Sequence, residues 1–348
     1  MKVLDYAKHA KAGPLEALAF RGAARYEPAL EGLVRAFVSK GFIDERGKAG
    51  CGIGDLVRAA MARLEPGDSV KQRWSYTKAH SIEVAKFGYI MAKEAAARGM
   101  TDAICLDAKL AYAGGLIHDV GKTFIPTAIL VKELGIDFGW FTAFRNAPLN
   151  SAERRIMREE HVAIGTRYVR LFGGGPHIRI MLDMVGLHHV MYNGIDSGVP
   201  SYPSLLKGKD LPLHARIAKA ADFISAVMPR HYRTNGYISS LDDALAYAVT
   251  VAGTELDPVS VRCFITGHYD ISPTQAEALI ERLAHPLGQA GVSDIHGARI
   301  YTKEVVRSDP EFLDTVRKRD FEKARYLEKE MGGFARDLGL RPDTVRSN

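Results

Sequence analysis

Ala111-Tyr112-Ala113-Gly114-Gly115-Leu116-Ile117-His118-Asp119-Val120-Gly121-Lys122 is an apolar run that stops abruptly on an imidazole and a carboxylate. A second run, Ile180-Met181-Leu182-Asp183-Met184-Val185-Gly186-Leu187, stops in the same way on His188-His189. Each pair stands where an apolar helix would end. His80, His161 and Asp222 lie in or beside comparable segments. Burying unpaired polar or ionised groups is costly, so apolar segments seldom carry them without partners. A lone histidine is more often a hydrogen-bonded core residue than a ligand. Seven such residues with two adjacent pairs point instead to a shared metal site.

Working outward, the periodicity is helical almost throughout. An amphipathic pattern over residues 68–99 ends at Gly99, and Thr101-Asp102 opens the helix that reaches His118. Asn150-Ser151-Ala152-Glu153 has the form of a capping box ahead of a helix that carries His161 and stops at Gly173-Gly174-Gly175. Further helices are expected over about 177–189, from Pro212 through Asp222, and from Ser240 to near Gly253. Ser272-Pro273-Thr274-Gln275 and Asp309-Pro310-Glu311 each combine an N-cap with a first-turn proline. Strand patterning is nearly absent. The expected fold class is all-α, a multi-helix bundle over residues 71–289 with small helical extensions over 1–70 and 290–348. The N-terminal unit is expected to pack against the bundle, with a sensory or dimer-forming role as the alternative. The charged C-terminal helix suits intramolecular packing or a homodimer.

Composition narrows the function. The chain has 348 residues, 47% hydrophobic and 25% charged, enough for a sizeable core. No stretch approaches the roughly 20 apolar residues of a bilayer span, and the first residues lack the core of a secretory signal, so a cytoplasmic protein without membrane insertion is expected. Cys51, Cys105 and Cys263 are odd in number and far apart, which fits reduced thiols rather than a disulfide framework. The net charge of +6 is spread thinly over all three regions, so no basic block suits a nucleic acid duplex.

The spacing carries chemistry. Consecutive His118 and Asp119 would diverge by about 100° on a regular helix, and Gly121 is read as helping to end that helix so both side chains turn into one cavity. A carboxylate has two oxygens, so Asp119 can bridge two cations about 3.5–4 Å apart, the arrangement that activates water and clamps a phosphoryl group. Lys122 can offer positive charge to a phosphate and to its transition state. Asp119 and Lys122 are the candidate catalytic residues. A set of imidazoles and carboxylates without thiolate suits iron, manganese, nickel or zinc.

These residues resemble the signature of the HD phosphohydrolase superfamily, and of its HD-GYP branch. His118-Asp119-Val120-Gly121-Lys122 is followed by Ile125-Pro126 and Ile129-Leu130-Val131-Lys132. His161, His188-His189 with Asn193-Gly194, the segment from Lys207 to Asp222, and Arg230-His231-Tyr232-Arg233 continue the likeness in order over roughly residues 74–270. The resemblance implies hydrolysis of cyclic di-GMP to pGpG or GMP on a centre of iron or manganese. It implies that His80, His118, His161, His188, His189 and Asp222 are terminal ligands, with Asp119 bridging. Lys122 would contact the scissile phosphate, and Tyr202, Arg230 and Arg233 would help hold the dinucleotide.

The departures shape the expectation. Members with a third metal have a glutamate where this chain has Tyr76, so two divalent metal ions are expected. Glu83 is read as a solvated helix residue. Ser201-Tyr202-Pro203 stands on the namesake tripeptide, after a loop about five residues longer than in relatives, and Ser225 replaces a common aspartate. Those changes bear on substrate fit more than on metal chemistry. The leading expectation is a metal-dependent phosphodiesterase of a cyclic dinucleotide. The alternatives are a catalytically weak receptor and a nucleotidase or phosphatase of mononucleotides.

Overall fold

The computed structural model describes residues 53–64, 71–100, 107–125, 150–173 apart from 151, 154 and 155, 176–194, 206–228, 241–269, 271–290, 310, 314 and 321–340. Its α-helices, numbered here in chain order, are α1 (Ile53–Leu64), α2 (Lys71–Ala97), α3 (Ala108–Ile117), α4 (His161–Arg170), α5 (Pro176–Leu187), α6 (Leu213–Val227), α7 (Leu241–Thr250), α8 (Pro258–Tyr269), α9 (Pro273–Ala290) and α10 (Phe321–Asp337). The fold is all-α, and the described residues contain no strand beyond one isolated bridge between Ala252 and Leu256. No helix among them is long and apolar enough to cross a membrane.

Local chemistry accounts for most boundaries. Gly99 ends the α2 segment at φ +64°, a conformation that side-chain-bearing residues rarely adopt. Asn150 and Glu153 form the reciprocal capping box, each backbone N–H donating 2.9 Å to the other's side chain. Ser272 and Gln275 repeat it at the start of α9. The start of α3 differs from expectation. Asp107 is its N-cap, extended at φ −69° and ψ 127°, with its carboxylate accepting from Lys109 N. A continuous helix from Thr101 is therefore excluded, although residues 101–106 lie outside the described ones. Helix α8 was not read from sequence, yet Asp257 caps it through Val259 and Ser260, and Pro258 occupies its first position.

Helix α2 runs through the centre, packed by α3, α6 and α8, while α5 lies against α3, α4 and α6. Close approach of α2 and α3 depends on Gly115, where an added Cβ would come within 2.5 Å of Ala85 Cα. A side chain there would force the helices apart. Two described segments from outside residues 71–289 join the same core. Helix α1 buries Leu56, Val57, Ala60, Met61 and Leu64, and the larger of these each contribute about 1.5–3 kcal/mol by burial. Leu327, Met331, Ala335 and Leu338 come in from α10 and the turn after it. Arg58 links these segments, donating 2.9 Å to the Leu338 carbonyl. Cys263 is a buried free thiol, its pKa pushed up to about 11 by burial, as a core cysteine should be. Cys51, Cys105 and the apolar segment near Glu31 lie outside the described residues.

Candidate metal centre

Both adjacent pairs sit at helix ends. His118 is the C-cap of α3, and His188-His189 follow the last residue of α5. The unpaired carbonyls of each final turn then find a use. His118 Nδ1 donates 2.8 Å to Gly115 O, and His188 Nδ1 donates 2.9 Å to Val185 O. With Nδ1 committed to a carbonyl, each ring turns Nε2 toward the cluster.

Asp119 is carried out of the helix at φ −99° and ψ 12°, into the 3₁₀ turn Val120–Phe124. Gly121 does not act as the helix stop expected of it, because α3 has already ended at Ile117. Its reason is space: an added Cβ would lie 1.7 Å from His161 O. The 3₁₀ turn therefore packs directly on the start of α4, which brings Asp119 to His161. A short π-helical segment, Ile156–Glu160, precedes His161, and such segments recur at functional sites.

All seven expected ligands converge, in two groups that share their carboxylates. In the first, His80 Nε2 lies 3.2 Å from His118 Nε2 and 3.0 Å from Asp222 Oδ1. Asp119 Oδ2 is 3.4 Å from His118 Nε2 and 3.6 Å from His80 Nε2. In the second, His161 Nε2 lies 3.2 Å from His189 Nε2. The other oxygen of Asp119, Oδ1, is 3.4 Å from His161 Nε2 and 3.8 Å from His188 Nε2. Asp222 keeps its Oδ1 in the first group, while its Oδ2 stands 3.8 Å from His189 Nδ1, the ring nitrogen other than the one facing His161. Asp119 thus turns one oxygen to each group.

The donor set fits cations. Two nitrogen lone pairs 3.2 Å apart repel unless positive charge lies between them, whereas ligands held at about 2.1 Å by one ion stand about this far apart. Asp119 Oδ1 and His188 Nε2 are buried and have no hydrogen-bond partner among the described residues, a costly condition that an ion would relieve. Protonation tells the same story. Burial lowers the His118 pKa, but Asp119 and Asp222 outweigh it and lift it to about 10. Burial drives His161 down to about 3 and His188 to about 4. Positive charge is therefore favoured at the middle of the cluster, and a proton can supply only one unit of it. Burial also raises the pKa of Asp119, yet Lys122 and His118 hold it well below the usual carboxylate range.

Exposure within the cluster is uneven. His118, Asp119, His161 and His188 are almost wholly buried, while the side chains of His189 and Lys122 keep 17% and 22% of their exposure. Lys122 Nζ contacts Asp119 Oδ2. Tyr202, Arg230 and Arg233 lie outside the described residues, as does the loop over 195–205. The side chain of Tyr76 also lies outside them. Glu83 differs from its expected role: it is half-buried, and its Oε2 accepts a 2.8 Å hydrogen bond from Ser225. It shares a helix face with His80, three residues before it.

Residues 77–227 match the family model of the HD domain. The chain is 25% identical over 197 residues to a cyclic di-GMP phosphodiesterase of Vibrio cholerae serotype O1, covering 56% of this chain and 37% of that relative. It is 30% identical over 152 residues to the cyclic di-GMP phosphodiesterase response regulator RpfG of Xanthomonas campestris pv. campestris, covering 43% and 34%. A probable cyclic di-GMP phosphodiesterase of Vibrio cholerae is 30% identical over 149 residues, covering 43% and 30%. The chain spans about a third of the length of these curated relatives.

Proposed function

We propose, from the premise that residues 77–227 form an HD domain, that this chain is a metal-dependent phosphodiesterase of the HD-GYP kind. Its substrate is a cyclic dinucleotide, cyclic di-GMP in the first place, opened to pGpG or carried on to GMP. The observation that carries this reading is the division of the Asp119 carboxylate between two sets of imidazoles, with Asp222 beside the first. That pattern asks for two divalent cations. His80, His118 and Asp222 would hold one, His161, His188 and His189 the other, and Asp119 would bridge them. The donor set admits iron, manganese, nickel or zinc, and the resemblance to HD-GYP members favours iron or manganese.

Bound divalent cations would supply Lewis acidity, acidifying water and neutralising phosphoryl charge. The chain's own residues do the rest. Lys122, partly exposed and beside Asp119, brings a cation to a nonbridging phosphate oxygen as negative charge grows there. Asp222 would also accept a hydrogen bond from the attacking water. Tyr202, Arg230 and Arg233 hold the dinucleotide, and the buried imidazoles exclude bulk water from the inner face. Residues 71–289 constitute the catalytic unit, with 1–70 and 290–348 as extensions, and the second-messenger substrate makes the cytoplasm its compartment.

The test is protein purified without air exposure, analysed for metal and incubated with cyclic di-GMP, mixed cyclic dinucleotides and mononucleotides, with products separated by chromatography. Two ions per chain and a linear dinucleotide or GMP are expected. Cyclic dinucleotide bound without product would replace this reading with a receptor. Turnover of mononucleotides alone would replace it with a nucleotidase.

A further inference from the structure

His118 and His188 have their tautomers set by carbonyls of their own helices, but His80 cannot be held that way. It lies within α2, where the carbonyls are engaged along the helix. Its Nδ1 is met from a different element: Ser225 Oγ, on α6, stands 2.9 Å away and is fully buried. The same Ser225 Oγ lies 2.8 Å from Glu83 Oε2, back on α2. A carboxylate accepts and does not donate, so the serine proton points to Glu83. The Ser225 oxygen then accepts from His80 Nδ1–H, and His80 Nε2 is left as a lone pair facing His118 Nε2 and Asp222 Oδ1.

We infer that Glu83 and Ser225 are positioning residues, a relay that sets the tautomer and orientation of His80 and so tunes the cation site it shares with His118 and Asp222. This rests on the metal reading above. A histidine ligand commonly donates its second ring N–H to an oriented acceptor, which fixes the ring and raises its basicity. Here the acceptor is a neutral hydroxyl made more electron-rich by a carboxylate behind it. The relay also ties α2 to α6 at the level of the site, since His80 and Glu83 come from one helix and Ser225 and Asp222 from the other.

The test compares wild type with Ser225→Ala, Glu83→Ala and Glu83→Gln. Titration with Mn²⁺ followed by electron paramagnetic resonance reads both affinities and the exchange-coupled signal of a paired centre. Ser225→Ala is expected to weaken one of the two Mn²⁺ sites by about 10- to 100-fold, leaving an uncoupled single-ion signal at loadings where wild type is paired. Glu83→Ala should shift in the same direction by less. Glu83→Gln, whose amide carbonyl can still accept the serine proton, should come closest to wild type. In metal-free protein, long-range nitrogen–proton correlation spectra above the imidazole titration range should place the His80 proton on Nδ1 in wild type and show a mixture of tautomers in Ser225→Ala. Glu83 is half-buried, so its variants test the relay even where Ser225→Ala folds poorly. Wild type with two ions and Ser225→Ala with unchanged affinities would overturn the relay alone. Wild type that binds no Mn²⁺ would overturn the metal centre with it.

Discussion

Helix α6 runs between two buried polar clusters built on opposite plans. Along its first turns His214, Arg216 and Lys219 each meet an acid: His214 Nε2 lies 3.0 Å from Asp183 Oδ2, Arg216 Nη1 2.9 Å from Asp257 Oδ2, and Lys219 Nζ 3.3 Å from Glu255 Oε1. Spare valences are used too, for Arg216 Nε donates to Leu211 O and Asp257 accepts from Ser260. Donors and acceptors balance, as a buried network must to avoid a heavy desolvation cost. One turn on, around Asp222, they do not balance. Imidazole lone pairs and carboxylate oxygens face one another, and atoms of Asp119 and His188 go without hydrogen bonds. A balanced cluster holds the fold together, while a cluster with surplus lone pairs has the donor set to hold a cation.

This contrast can be broken by variants that should dissociate metal loading from stability. The largest effect is expected for Asp119→Asn, which keeps the shape but removes the shared negative charge. Metal analysis should find the paired centre lost and turnover at background, with the metal-free protein nearly as resistant to denaturant as wild type. Full metal content in that variant would erase the distinction between the two clusters. On the other side, Asp257→Ala strands a buried guanidinium and should cost about 3–5 kcal/mol in urea unfolding, with two ions still bound to the folded protein. Loss of metal without loss of stability would reverse the assignment.

Smaller effects sharpen the picture. Lys122→Ala should leave metal content unchanged and lower kcat by about 10²- to 10³-fold, because the role proposed for its charge is toward the substrate rather than the metals. A variant with normal kcat would remove Lys122 from the chemistry. Arg63 reaches the same turn from α1, donating 3.0 Å to Thr123 Oγ1 and lying 4.0 Å over the Phe124 ring. Arg63→Ala should cost about 1 kcal/mol and speed amide exchange in the 120–124 turn, while metal stoichiometry stays the same.

Much of the site was legible before any coordinates. His118-Asp119 and His188-His189 could be read as helix-terminal pairs because an apolar run that stops on polar residues is a local signal, and the capping boxes at Asn150 and Ser272 are local in the same sense. Asp107 at the start of α3 and Asp257-Pro258 at the start of α8 are local signals of the same kind. Glu83 carries no such signal. Its partner, Ser225, is 142 residues away, and nothing in a helical pattern tells a solvated glutamate from one facing a neighbouring helix.

Sequence alone determined most of the helices that carry the site, several of their ends and the kinds of atoms available to a metal, because capping, periodicity and donor chemistry are properties of neighbouring residues. Only the tertiary structure decided which oxygen of Asp119 and Asp222 faces which imidazoles, and that His80 is steadied by Ser225 and Glu83. Those choices follow from how closely helices cross, with Gly115 admitting α3 to Ala85 of α2 and Gly121 admitting the 3₁₀ turn to His161. Crossing distance is set by packing among residues far apart in the chain, so no local pattern encodes it.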